Sequence, residues 1–254
     1  MAKTNKLVIA NWKMNPESEV EAKEIASSIR KRSDDIKAKI VICPPFVFLG
    51  AVGKNIIDTT GVYLGAQDVS AVKGNSHTGS VGIDMLKEMN VKYVIIGHSD
   101  RRNAGDTDEI IAQKLEVTLK ENIKGILCVG EKERNEKGDY FHHIKEQIIL
   151  DTKKIKRDML KNLIIAYEPV WAIGKSEREA IEPEKLHEMT IFIKRVLSDI
   201  FGNENAQKVP VLYGGSVGTE NIKALTENTS IDGVLVGRES LKAKEFLKIA
   251  DEVK

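Results

Sequence analysis

The chain has little of what secreted miniproteins, membrane proteins or nucleic-acid-binding proteins need. Its 254 residues include only two cysteines, Cys43 and Cys128, without metal-type spacing, which argues against a disulfide framework or a cysteine-rich zinc site. Lys and Arg number 39 against 38 Asp and Glu, a net charge of +1 with no basic block, so binding to nucleic acid is disfavoured. The apolar runs stop at strand length, short of the roughly 20 residues that a membrane-spanning helix requires. No apolar core of a secretory signal opens the sequence. Reduced thiols, a cytoplasmic location and no membrane association are the expectations.

Proline is scarce too, with six in the chain, and no Pro/Gly/Ser-rich linker divides it. What is present instead is alternation. Apolar, β-branched runs recur at Leu7–Asn11, Ile40–Cys43, Val62–Ala66, Val91–Gly97, Ile123–Val129, Leu163–Tyr167, Val209–Tyr213 and Gly233–Gly237. Runs of this kind read as strands covered on both faces. Between them, Glu17–Arg32, Thr107–Asn122, Tyr140–Met159, Pro183–Phe201 and Glu239–Val253 return apolar residues every three or four positions, the period of a helix packed by one face. Strand–helix units imply parallel strands with right-handed crossovers. Eight of them in about 250 residues predict an α/β chain closed into a single-domain (β/α)8 barrel over residues 1–254. An open doubly wound sheet is the alternative. It is weakened because Asn11-Trp12-Lys13-Met14-Asn15 follows the first run, where that fold carries a Gly-x-Gly-x-x-Gly turn.

In such a barrel the C-terminal strand ends converge on one face, and chemically capable side chains fall there repeatedly. Asn11 and Lys13 follow the first run, Gln67 the third, His98 the fourth and Glu168 the sixth; Gly214-Gly215-Ser216 follows the seventh and Gly237-Arg238 the eighth. Glu168 is the most telling of these. It ends a continuous apolar run, Pro169 fixes the chain direction after it, and the loop Val170-Trp171-Ala172-Ile173-Gly174 is apolar where loops are ordinarily polar. A carboxylate beneath an apolar lid is a setting for a general base that takes a proton from carbon. The charged stretch Glu131–Asp139 reads as a solvated loop or short helix and is given no chemistry.

At these residues the chain resembles the triosephosphate isomerase family, over nearly its whole length. The matching motifs are Asn11-Trp12-Lys13-Met14-Asn15, Gly65-Ala66-Gln67-Asp68, Ile96-Gly97-His98-Ser99-Asp100-Arg101-Arg102, Cys128-Val129-Gly130-Glu131, Tyr167-Glu168-Pro169-Val170-Trp171-Ala172-Ile173-Gly174, Tyr213-Gly214-Gly215-Ser216-Val217 and Val236-Gly237. The resemblance implies a TIM barrel that interconverts dihydroxyacetone phosphate and D-glyceraldehyde 3-phosphate through an enediolate, in glycolysis and gluconeogenesis, with no cofactor and no metal. It implies Glu168 as the base, His98 as a neutral electrophile at the carbonyl, Lys13 and Asn11 as stabilisers of the developing oxyanion, and Asp100 as the partner of Lys13. Substrate contacts fall to Asn11, Lys13, Gly174, Ser216, Gly237 and Arg238, with backbone N–H groups cradling the phosphate. A homodimer is implied through the Val72–Ser80 loop, in which Thr78 reaches toward the partner's site and Ser80 replaces an acidic residue that usually pairs across the interface.

The departures from the family pattern set further expectations. Asp100 stands where the family usually has Glu, Asp106 replaces another Glu, and the segment after Arg102 is about one residue shorter. Asp100 is expected still to engage Lys13. The stretch Lys175–Glu182 is about two residues longer than usual and charged, so a looser second hinge, a more open lid and a raised KM are expected. Arg238 replaces a usual Gly, and both a phosphate-binding guanidinium and a solvated arginine at a helix start are open. Two classes of function follow: an active isomerase, or a catalytically impaired barrel that binds phosphorylated metabolites or a protein partner. Isomerisation of a different phosphosugar fits less well, because the lid leaves little room for a longer chain.

Overall fold

The apolar runs pair side by side in sequence order and close on themselves. The computed structural model describes residues 6–74, 77–135 and 137–253. Among them, eight parallel strands form one closed barrel: β1 Leu7–Asn11, β2 Lys39–Cys43, β3 Val62–Ala66, β4 Tyr93–Ile96, β5 Lys124–Val129, β6 Leu163–Tyr167, β7 Val211–Tyr213 and β8 Gly233–Val236. The outer helices are α1 Glu19–Arg30, α2 Leu49–Ile56, α3 Ile83–Glu88, α4 Ser99–Asn103, α5 Asp108–Lys120, α6 Asp139–Thr152, α7 Pro183–Phe201, α8 Asn203–Lys208, α9 Ile222–Glu227 and α10 Ala243–Glu252. The single (β/α)8 barrel expected from the alternation is the fold observed. No helix among the described residues is long and apolar enough to cross a membrane.

Strand alternation divides the core into two shells. Leu7 and Ile9 of β1, Ile126 and Cys128 of β5, and Ile164 and Ala166 of β6 belong to the cluster inside the barrel. Their neighbours Val8, Ala10, Leu127 and Ile165 belong to the second cluster, between barrel and helices. Closure between β8 and β1 needs a glycine. Gly233 has φ 152, and a Cβ there would lie 1.9 Å from the Leu7 carbonyl oxygen.

The elements are shorter than the periodicity predicts, for local reasons. Ser18 caps α1 by accepting from the Glu21 N–H, and Thr107 caps α5 by accepting from Ile110, so Glu17 and Thr107 lie outside their helices. Strand β7 begins after Pro210, which has no N–H to give a ladder. The run Tyr140–Met159 ends as a helix at Thr152, and Arg157–Asn162 forms a 3-10 turn instead. Glu239–Val253 likewise splits into a 3-10 turn, Arg238–Leu241, and α10. Pro183, pre-set for a first helical turn, starts α7 where the sequence places it.

Candidate active site

A cleft of about 660 Å3 opens at the C-terminal ends of the strands, and Asn11, Lys13, His98, Glu168, Gly174, Ser216, Gly237 and Arg238 all line it. Asp100 stands behind Lys13. Glu168 follows β6 directly, its N–H held by the Val129 carbonyl at 2.8 Å. Backbone contact leaves no alternative to glycine at 130, and at 214 any side chain would displace that of Glu168. A Cβ at Gly130 would fall 1.8 Å from the Glu168 carbonyl oxygen, and one at Gly214 would fall 2.7 Å from Glu168 Cγ. The side chain is buried, and neither carboxylate oxygen has a hydrogen-bond partner among the described residues. Buried carboxylate oxygens are ordinarily satisfied, so this side chain stores acceptor capacity for something else.

His98 caps α4, with Nδ1 accepting from the Asp100 N–H at 3.0 Å. A nitrogen that accepts carries no proton, so the neutral ring holds its proton on Nε2. That atom lies 3.6 Å from Oε1 of Glu168. Beneath the histidine, Arg102 donates to the Gly97 carbonyl at 2.8 Å and the Cys128 carbonyl at 3.2 Å, and pairs with Asp151 at 2.6 Å. This ties the ends of β4 and β5 to α6. Burial pushes the Asp151 carboxyl up to about 7 although Arg102 pulls it down. Cys128, whose thiol is pushed well up by burial and then by the charge of Glu168, stays protonated and serves as packing.

Lys13 is held in a strained conformation, φ 53, that costs a non-glycine residue about 1–3 kcal/mol. Its neighbours enforce it. The Lys13 N–H donates to Asn11 Oδ1 at 3.1 Å, while Gln67 donates to the Lys13 carbonyl at 2.8 Å and to the Cys43 carbonyl at 2.9 Å. The ammonium then reaches Asp100 Oδ2 at 3.1 Å. The shorter acid therefore spans to Lys13. Partial burial opposes ionisation of Asp100, but positive charge on the His98 ring when it is protonated, together with the hydrogen bond and charge of Lys13, outweighs it and holds the carboxyl below its usual range. The pair is too exposed to add much stability, and its effect is to aim the lysine. Asp106, the other shortened acid, meets the buried Lys114 at 2.6 Å, and Lys114 also holds Asp68 at 2.8 Å.

The lid is anchored at both ends. Glu131 is buried and accepts from the Tyr167 hydroxyl at 2.9 Å, Trp171 Nε1 at 2.8 Å and Arg134 Nε at 2.8 Å. The Arg134 guanidinium lies over the Tyr140 ring at 4.6 Å. Reading Glu131–Asp139 as a solvated loop without chemistry is therefore wrong at Glu131, which pins the first hinge. Trp171 is committed to this anchor, and Ile173 is the apolar lid residue that lines the cleft.

The second hinge is folded. Ser176 and Glu179 form a reciprocal capping box around a 3-10 turn at Glu177–Glu179. The Ser216 hydroxyl lies within hydrogen-bond reach of the Ala172 and Lys175 carbonyls, at 2.7 and 3.0 Å, and Arg238 donates to the Gly174 carbonyl at 3.0 Å. These contacts tie the second hinge to the loop after β7 and to Arg238. They also place Arg238 against the lid, which the solvated reading did not foresee. Among the described residues, no group of three His, Cys, Asp or Glu side chains is placed to hold a metal ion.

A buried acceptor opposite an imidazole that can donate, with a cation at the rim and a cover above, suits proton transfer between neighbouring carbons of a small anion. In a (β/α)8 barrel this defines the class of aldose–ketose isomerases. Sequence comparison narrows the class: residues 6–253 match the triosephosphate isomerase family, and the chain belongs to that family. Triosephosphate isomerases of Thermoanaerobacter sp. and Dictyoglomus turgidum are each 38% identical to it, across 96% of this chain and 98% of theirs. That of Alkaliphilus oremlandii is 36% identical across 96% of this chain and 97% of its own length.

Proposed function

We propose that the triosephosphate isomerase reaction of this chain, the interconversion of dihydroxyacetone phosphate and D-glyceraldehyde 3-phosphate in glycolysis and gluconeogenesis, is divided among Glu168, His98, Lys13 and Asn11. Glu168 takes the proton from the carbon beside the carbonyl, and the electron pair moves to the carbonyl oxygen. There the Nε2–H of His98 and the Lys13 ammonium meet the charge, with the Asn11 amide beside them. His98 gives its Nε2 proton to that oxygen and takes the proton of the neighbouring hydroxyl, which becomes the new carbonyl as Glu168 returns its own proton to that carbon, so one base serves both carbons. Gly174, Ser216, Gly237 and Arg238 surround the phosphate. The scheme uses no cofactor.

The observation that supports this reading is the buried Glu168 carboxylate, unpartnered among the described residues, 3.6 Å from His98 Nε2. Against the impaired barrel, Asp100 reaches Lys13 and the Ser216 hydroxyl bonds the Ala172 carbonyl of the lid. A coupled assay with glyceraldehyde 3-phosphate tests it. Loss of a general base is expected to lower kcat of Glu168→Gln by about 10²–10⁴, and turnover equal to that of the unmodified chain would remove Glu168 from this role.

The working form is proposed to be a cytoplasmic homodimer. Met14 and Val47 are 92% and 78% exposed, and Val72 and Met85 are exposed as well. They follow neighbouring strands β1, β2 and β3, or open α3, so they share one face, and an apolar face of this kind marks an interaction surface. Thr78 and Ser80 are exposed, while residues 75–76 of the Val72–Ser80 loop lie outside the described residues.

A further inference from the structure

We infer that Glu177 is a positioning residue for the isomerisation, a carboxylate that clips the second half of the lid to the loop after β7 and keeps the cleft shut around the substrate. The inference rests on the reading of Glu168 as a base beneath this lid. Glu177 lies in the longer hinge, in the turn that the Ser176–Glu179 capping box folds. Its Oε2 accepts from the Glu220 N–H at 2.8 Å, and its carbonyl accepts from Asn221 Nδ2 at 3.3 Å.

The receiving loop is shaped for that carboxylate. Asn221 Oδ1 accepts from the Gly218 N–H at 3.0 Å, and Asn221 Nδ2 also donates to the Ser216 carbonyl at 2.9 Å. A Cβ on Gly218 would fall 1.9 Å from Glu177 Oε1. Gly218 is not among the residues with positive φ, so its backbone has no need of glycine. The space for the Glu177 carboxylate is what a side chain at 218 would remove. The same loop carries Ser216, which meets the lid carbonyls and lines the cleft. One loop thus faces the phosphate with one end and grips the lid with the other. A backbone N–H bonded to a carboxylate is a charge-assisted contact, and a larger closed fraction lowers apparent KM.

The test is a cycle of Glu177→Ala, Gly218→Ala and the double variant, with Glu177→Gln as the conservative change. KM for glyceraldehyde 3-phosphate and the inorganic phosphate released per turnover are measured on the full chain. Phosphate release reports enediolate that decays because the lid has opened. Glu177→Ala is expected to raise KM about three- to tenfold and to raise phosphate release, with kcat within about twofold. Glu177→Gln, which keeps an acceptor for Glu220, should restore most of the loss. Gly218→Ala should reproduce the Glu177→Ala values, and the double variant should be no worse than either. Unchanged KM and phosphate release in Glu177→Ala, or additive losses in the double variant, would overturn the inference. Glu168→Gln in parallel separates the failures, because an inactive Glu168→Gln beside an unaffected Glu177→Ala rejects the clip and leaves the base in place.

Discussion

His98 Nε2 and Glu168 Oε1 face each other at 3.6 Å across the floor of the cleft, beyond hydrogen-bond length. Each therefore keeps an atom free for the substrate, one as donor and one as acceptor. Their separation is set from outside the pair, by the Asp100 N–H on one side and by the glycines at 130 and 214 on the other.

Gly214→Ala tests that constraint. The new Cβ would meet Glu168 Cγ at 2.7 Å and Oε1 at 3.1 Å, so the carboxylate must move. A displacement near 1 Å is expected to lower kcat about 10²-fold, while the barrel still melts cooperatively. A kcat within about twofold of the unmodified chain would show that the position of Glu168 is not held by this contact.

The 3.1 Å contact between Lys13 and Asp100 predicts that lengthening the acid gains little. Asp100→Glu should change kcat by less than tenfold, worth about 1.4 kcal/mol of barrier. A tenfold gain would mean that the shorter acid leaves Lys13 poorly aimed. Steady-state kinetics on the two proteins decide.

Arg238 donates to the Gly174 carbonyl from the mouth of the cleft. Arg238→Ala should raise KM several-fold and leave kcat nearly unchanged, because it removes binding and lid contacts without touching the carbons. A KM equal to that of the unmodified chain returns this arginine to the role of a surface residue.

The exposed Met14 and Val47 predict self-association. Sedimentation at micromolar concentration should give the mass of two chains, and Val47→Glu, which places a charge in the middle of the patch, should shift the mass toward one. A monomeric mass for the unmodified chain would reject the homodimer.

The barrel was legible because its strands are apolar on both faces while its helices repeat every three or four residues, and the two periods alternate without interruption. Asn11, Lys13, His98 and Glu168 were legible because each ends a strand or lies within two residues of its end, on the face where the strand ends converge. Glu131 was not, since periodicity reports buried apolar side chains and says nothing of a loop charge that turns inward to meet Tyr167 and Trp171. Gln67 was legible as a residue of the third strand end, but not the bonds by which its amide joins the Lys13 and Cys43 carbonyls. Least legible was Glu177, where added length and charge suggested slack and the side chains instead found backbone donors and a glycine-sized space.

The backbone angle at Lys13, φ 53, has a consequence for how such a chain can change. Glycine there would relax the torsion, and selection for heat resistance alone would favour it. Selection for turnover must keep the side chain. Position 13 is thus a point at which durability and speed demand different amino acids, and the amide of Gln67 helps the chain hold the less comfortable one.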